Sequence, residues 1–300
     1  TVGAGFSSFD PAGRLLLSAN GWYGLVSREP GFSATLRTQL TYPTIDVTVA
    51  RVVTGVAGAR PDYAESQLIG RAELAWRGRS QWSAWNLALG WQGQYVRASG
   101  PVILESTDVR PAEGLVSQPY ATFDWSSTRR WTYAISSEAG RRFSVDLRGG
   151  APWTGSVTNQ AQLTLQYAEF VALPWAAHHV LALRATTGRI VGDVQRRRSY
   201  GLGGTVAWSL LDDLARLQSA TRVLRGYAPN AFSGPAFWLA SAEYRFPILN
   251  TEWGTDTLPI SLRRVHAAAF VDAGDAWDPT LANTSPKVGV GAELRLELCL

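Results

Sequence analysis

Lys287-Val288-Gly289-Val290-Gly291-Ala292-Glu293-Leu294-Arg295-Leu296-Glu297-Leu298 is the most regular stretch of the chain, and its reading decides the fold. Val288, Val290, Ala292, Leu294, Leu296 and Leu298 alternate with Lys287, Gly289, Gly291, Glu293, Arg295 and Glu297. Successive side chains of a strand point to opposite faces, so this run has one greasy and one polar face. A helix, with its period of 3.6, would scatter the same residues around its surface.

The same alternation recurs back along the chain. Leu181, Leu183 and Ala185 oppose Arg184 and Thr186, and Ala161, Leu163, Leu165 and Tyr167 oppose Gln160, Gln162, Thr164 and Gln166. Ala121, Phe123 and Trp125 stand against Thr122 and Asp124; Tyr133, Ile135 and Ala139 stand against Ser136, Glu138 and Gly140. Trp85, Leu87, Leu89 and Trp91 oppose Asn86, Gly90 and Gln92, while Ala72, Leu74 and Trp76 oppose Arg71 and Glu73. Further segments fall at 45–49, 33–40, 15–20 and 1–8. With two more between 241 and 274, the reading gives about 13 strands and an all-β chain.

Alternation alone also fits a soluble sandwich, in which the apolar face packs on a second sheet. Two features favour a transmembrane antiparallel β-barrel. Several runs reach about 10 to 15 residues, nearer the tilted membrane-crossing strand than the usual five or six. Connections alternate between short and long, with short links near 10–13, 42–43, 77–80, 126–129 and 174–176. Longer ones lie near 54–63, 99–113, 149–157, 190–235 and 277–286. Short periplasmic turns and long extracellular loops make that pattern, and place the 190–235 loop outside the cell. The link from Ile248 to Ser261 is a periplasmic turn too long for the rule.

Composition agrees with a β membrane protein and excludes other classes. The 300 residues include 13 Trp, 10 Tyr and 10 Phe, no Met and a single lysine, Lys287. Aromatic residues in that number belong where apolar and wet environments meet. No apolar run approaches the roughly 18 residues of a spanning helix. The formal charge of +4 is carried by scattered arginines, with Arg196-Arg197-Arg198 the one cluster, so nucleic acid is not an expected partner. Cys299 alone allows no internal disulfide and no cysteine metal site. Within the longest loop, Leu210, Leu211, Leu214 and Leu217 fit a short amphipathic helix.

Four motifs in order carry a resemblance. Leu224-Arg225-Gly226-Tyr227 in the long loop resembles the arginine-glycine-aromatic motif of BamA-type outer-membrane proteins, a superfamily that includes TamA and the two-partner secretion pores. Tyr200-Gly201-Leu202-Gly203-Gly204 is similar to the glycine pair that introduces that loop. Glu243-Tyr244-Arg245-Phe246-Pro247 and Phe270-Val271-Asp272-Ala273-Gly274-Asp275-Ala276-Trp277 resemble the next two strands. The resemblance is strongest over 200–298. It implies a barrel of about 16 strands in the complete protein, with the extracellular 190–235 loop folding into the lumen, so residues 1–300 are expected to be a barrel incomplete at both ends.

Carried over, the resemblance implies that Arg225 meets Glu243 and Asp272, with Phe270 beside it and Gly226 and Tyr227 completing a loop lock. Strand parity agrees independently, because Ser241, Glu243 and Arg245 share one face and Phe270, Asp272 and Gly274 share another. Arginine suits the position because its fork engages carboxylates bidentately and stays charged where water is scarce.

The function implied is insertion or translocation of polypeptides at the bacterial outer membrane. The alternative is a non-catalytic barrel anchoring another domain or a complex. Expected partners are outer-membrane lipid and lipopolysaccharide, with client polypeptides and periplasmic or surface subunits. No cofactor, metal or catalytic residue is expected. His178, His179 and His266 lack a serine or acidic residue at a spacing that indicates a site, and adjacent histidines on a strand point apart.

Overall fold

The computed structural model describes residues 2–25, 28–55, 64–99, 113–131, 134–193, 200–204, 223–254, 261–280 and 283–299. Its strands are β1 (Val2–Phe9), β2 (Leu15–Tyr23), β3 (Pro30–Thr38), β4 (Thr44–Gly55), β5 (Ala64–Arg79), β6 (Ala84–Ser99), β7 (Gly114–Ser126) and β8 (Gly140–Gly150). After a single 3₁₀ turn at Pro152–Thr154 come β9 (Gln160–Ala172), β10 (Val180–Gly192), β11 (Tyr200–Leu202), β12 (Phe232–Gly234), β13 (Ala236–Gly254), β14 (Ser261–Trp277) and β15 (Lys287–Cys299).

Thirteen of these strands form one antiparallel sheet in which each pairs with its neighbour in sequence, β10 passing directly to β13. The short β11 and β12 pair only with each other, inside the long loop. The sheet curls until β7, β8, β9, β10, β13, β14 and β15 all wall one cavity of about 780 Å³. A curled sheet of next-neighbour hairpins, apolar outside and polar inside, is a transmembrane barrel wall.

Burial follows the alternation read from sequence. On β15, Val288, Val290, Leu294 and Leu296 are exposed, and the same holds for Leu163 and Tyr167 on β9 or Leu89 and Trp91 on β6. In water so many large apolar side chains on one surface would be intolerable; against lipid they are the favoured face. The opposite face buries Gln92, Gln94, Gln118, Thr164, Thr186, Glu243 and Asp272. Tyr42, Trp82, Trp131 and Trp175 stand exposed at the short-turn end of the strands, where an aromatic girdle marks the membrane boundary.

Two expectations change. The alternating stretch 133–140 is not a strand: β8 begins at Gly140, and the link after β7 runs from Ser127 to Ala139. A one-pair bridge between Arg129 and Ala139 and a turn closed by the Ala134 amide donating to the Trp131 carbonyl organise it instead. Alternation there was coincidental, because the segment turns back on itself too soon to join the sheet; Tyr133 lies outside the described residues. The link from Ile248 to Ser261 is also not a long turn. β13 and β14 continue pairing to Gly254 and Ser261 through two register shifts, which Pro247 and its neighbours absorb. Finally, the helix read at 210–217 falls outside the described residues.

Candidate functional site

The described parts of the loop between β10 and β13 fold against the inner wall. β11 leads in, and the Leu224 amide donates to the Gly203 carbonyl at 2.8 Å. The Gly204 amide donates to the Ala228 carbonyl at 3.1 Å, drawing both limbs of the loop together. Leu224, Tyr200 and Leu202 are fully buried and pack with Ile190, Phe237, Leu239 and Ala276 from β10, β13 and β14. Tyr227 and Phe232 cover the edge of this cluster, their ring centroids 5.1 Å apart. The loop therefore has its own apolar foot, and Arg225 follows it immediately.

Arg225 sits at the centre of a set of hydrogen bonds to the wall. Its Nε donates to Asp272 Oδ2 at 2.7 Å and its Nη2 to Asp272 Oδ1 at 2.8 Å, a bidentate fork. Its Nη1 donates to Glu243 Oε2 at 2.8 Å, and Nη2 also reaches Ser241 Oγ at 3.2 Å. The Arg225 backbone amide adds a contact to Asp272 Oδ2 at 3.3 Å. The guanidinium carbon lies 3.4 Å from the centroid of the Phe270 ring, so one face of the cation is stacked while its edge is hydrogen-bonded. The side chains of Asp272 and Glu243 are only 1% and 3% exposed, so both depend on arginine for compensation.

Register explains why these residues meet. Ser241 pairs with Asp272, Asp272 with Gly289, and Glu243 with Phe270, so three adjacent strands present neighbouring positions on the inner face. Gly226 has a φ of +93°, a left-handed conformation that glycine adopts without penalty. Tyr227 closes the lock on β15, its hydroxyl donating to the Val288 carbonyl at 3.0 Å.

All six residues read from sequence for this site, Arg225, Gly226, Tyr227, Glu243, Phe270 and Asp272, are brought together. Sequence reasoning missed three others. Arg245 donates through Nε to Glu243 Oε1 at 2.5 Å, giving that carboxylate a second cation. Ser241 was placed on the right face without a partner. Gly289 permits the closest approach, because a Cβ there would fall 2.0 Å from the Arg225 carbonyl oxygen. The signal was available: glycines at 289 and 291 break the side-chain pattern of an otherwise regular strand on its polar face.

The histidines require one correction. His178 does have an acidic partner, since its Nδ1 lies 2.7 Å from Glu138 Oε1, forty residues away in sequence. No local spacing could reveal a pair made by two different turns. His179 Nδ1 lies 2.6 Å from the Tyr244 hydroxyl, so the two adjacent rings do serve different faces. His266 lies on β14, and its Nδ1 is buried without a hydrogen-bond partner.

Comparison with known proteins places this geometry. A sequence model described as the Omp85 superfamily domain matches residues 116–300. No curated protein matches the chain. Among solved structures, BamA from Haemophilus ducreyi lacking POTRA domains 1–3 superposes with a TM-score of 0.54 and 14% identity. The alignment covers 97% of this chain and 62% of that one. CdiB from Escherichia coli superposes with a TM-score of 0.61 and 14% identity over 99% of this chain and 52% of its own. This chain thus spans 62% and 52% of the two structures it matches, and at such identity the likeness is one of fold.

Proposed function

Since the chain belongs to the Omp85 superfamily, whose barrels lie in the bacterial outer membrane, we propose that it inserts or translocates polypeptides at that membrane. The observation that carries the reading is the Arg225 constellation. It ties the long loop to β13 and β14, and through Gly289 and Tyr227 to β15, within the half of the chain that the family model matches. A loop held against the inner wall by a buried ion network couples what happens inside the barrel to the geometry of its last strands. That coupling is what a barrel needs if a polypeptide is to be handled by the lumen and the sheet edge together.

The reading includes no catalysis and no cofactor. His178 is engaged by Glu138 and His179 by Tyr244. The exposed apolar face calls for lipid, with lipopolysaccharide in the outer leaflet, and the protein partners are client polypeptides and periplasmic or surface subunits.

The test is reconstitution of the full-length protein into liposomes, with an unfolded outer-membrane barrel supplied from one side and a secreted polypeptide in a parallel arm. Folded, heat-modifiable client or protease-protected polypeptide should accumulate well above the level in empty liposomes. Equal yields with and without the protein in both arms would reject the proposal.

A further inference from the structure

Charges on the inner wall do not all cancel. Around the lumenal cavity Arg148 is taken bidentately by Asp146, Arg225 by Asp272 and Glu243, Arg245 by the second oxygen of Glu243, and Arg295 by Glu293. Arg142 on β8 and Arg184 on β10 line the same cavity, and neither side chain makes a hydrogen bond or ion pair with a described residue. Both flank a single residue of β9: Ala168 pairs with Arg142 on one side and with Arg184 on the other. Two strand spacings separate their Cα atoms by roughly 10 Å, and between them stands only a methyl group.

The surroundings leave this pair uncompensated. Arg184 feels the positive charges of Arg245, Arg225 and Arg295, while the acid nearest to it electrostatically, Glu243, is already shared by two arginines. Asp124 also lines the cavity, in the row of Ser144 and beside Arg142, yet it forms no ion pair with a described residue. Two long, unpaired cations facing each other across an alanine, in a cavity of about 780 Å³, form a cleft for a negatively charged group.

We propose that Arg142 and Arg184 form an oxyanion site on the lumenal wall, accepting a carboxylate or phosphate group over Ala168. Each guanidinium offers paired donors matched to two oxygens, and the confined lumen weakens the competition from bulk water. Its natural source is an acidic side chain of a polypeptide in the lumen, an assignment that rests on the function proposed above. Free phosphate offers the same chemistry.

The experiment uses the full-length protein in detergent micelles at low ionic strength, titrated with fluorescent hexaglutamate by anisotropy and with inorganic pyrophosphate by calorimetry. Saturable binding of hexaglutamate is expected. Arg142→Gln or Arg184→Gln should weaken it about tenfold and the double variant should abolish it, as expected for loss of charge-assisted contacts. Arg141→Gln, one residue along β8 on the outer face and paired there with Glu169, should leave it unchanged. Arg184→Lys, which keeps the charge and loses the fork, serves if the glutamine variants do not fold, and should weaken binding several-fold. Binding of pyrophosphate alone upholds the site and assigns it to free phosphate. No binding of either probe, or binding undiminished in the double variant, overturns the proposal. Failure of the liposome assay would leave a positive binding result standing, so the two ideas fail separately.

Discussion

On the inner face of β4 to β6, Gln94 donates to Gln67 at 2.7 Å beside an apolar patch of Ala50, Val52 and Ile69, with Trp22 packed against it. On the inner face of β13 to β15, two almost fully buried carboxylates stand on adjacent strands, and the cation that bridges them comes from a loop. Both walls obey the same alternation. The first satisfies its polar groups within the sheet, Gln94 with Gln67 and Arg71 with Glu73, whereas the second is incomplete until Arg225 arrives. A wall of that kind selects its loop, because buried carboxylates without a partner are far costlier than an unmade contact between neutral groups. The family model, which starts at residue 116, covers the wall that depends on the loop and leaves out the one that does not.

Removing the bridging cation should break this contrast most severely. Arg225→Ala leaves Asp272 buried without its bidentate partner, while Glu243 keeps Arg245. A loss of about 3 kcal/mol is expected, toward the low end for a broken buried pair because Arg225 itself is partly exposed. Urea unfolding in detergent and the heat-induced gel shift measure it, with Arg225→Lys expected between the two. Wild-type stability and wild-type membrane level in the alanine variant would remove the lock from the fold.

The second test leaves every charge in place. Gly289→Ala puts a methyl group 2.0 Å from the Arg225 carbonyl, against backbone that cannot swing aside like a side-chain end. The expected cost is about 2 kcal/mol through overpacking, together with faster proteolysis of the 223–235 segment. If neither changes, the loop does not press on β15, and the wall rather than the close approach holds it.

How legible all this was depends on the range of each interaction. Strand parity is local, so Glu243, Phe270 and Asp272 fell on the inner face from their spacing alone. The meeting of Arg225 with them came from a resemblance, since no local rule joins a loop residue to a carboxylate 47 positions later. The stretch 133–140 misled because alternation over a few residues cannot distinguish a strand from a folded turn. What fixes that segment is remote: Arg264 of β14 donates to the Ala134 carbonyl at 2.9 Å, 130 residues away. The unpaired state of Arg142 and Arg184 was invisible for the same reason, being a property of everything else around the cavity.

That remote contact supplies the third test. Arg264→Leu leaves the buried Ala134 carbonyl with only the longer contact from Arg130 Nε at 3.3 Å. A cost of about 1–2 kcal/mol is expected, the penalty for a weakened buried acceptor. The sharper readout is tryptic cleavage after Arg129 or Arg130, which should accelerate while cleavage in the long loop does not. Equal acceleration at both sites would mean that the two ends of the lumen are coupled rather than closed independently.

The smallest effect belongs to the amide pair of β5 and β6, and it sharpens the comparison because its size depends on whether one partner or both are replaced. Gln94→Leu alone removes the donor to Gln67 Oε1 and leaves a buried acceptor to find another group, at a cost of about 1 kcal/mol. Replacing Gln67 with leucine as well removes that acceptor and extends the patch formed by Ala50, Val52 and Ile69, so the double variant should recover part of the loss. A double-mutant cycle by urea unfolding reads this directly. The equivalent pair on the charged wall, Arg225→Ala with Asp272→Ala, cannot recover as far, because Glu243 and Ser241 still face the vacated guanidinium position. Equal recovery in the two cycles would show that the two walls do not differ in their dependence on the loop.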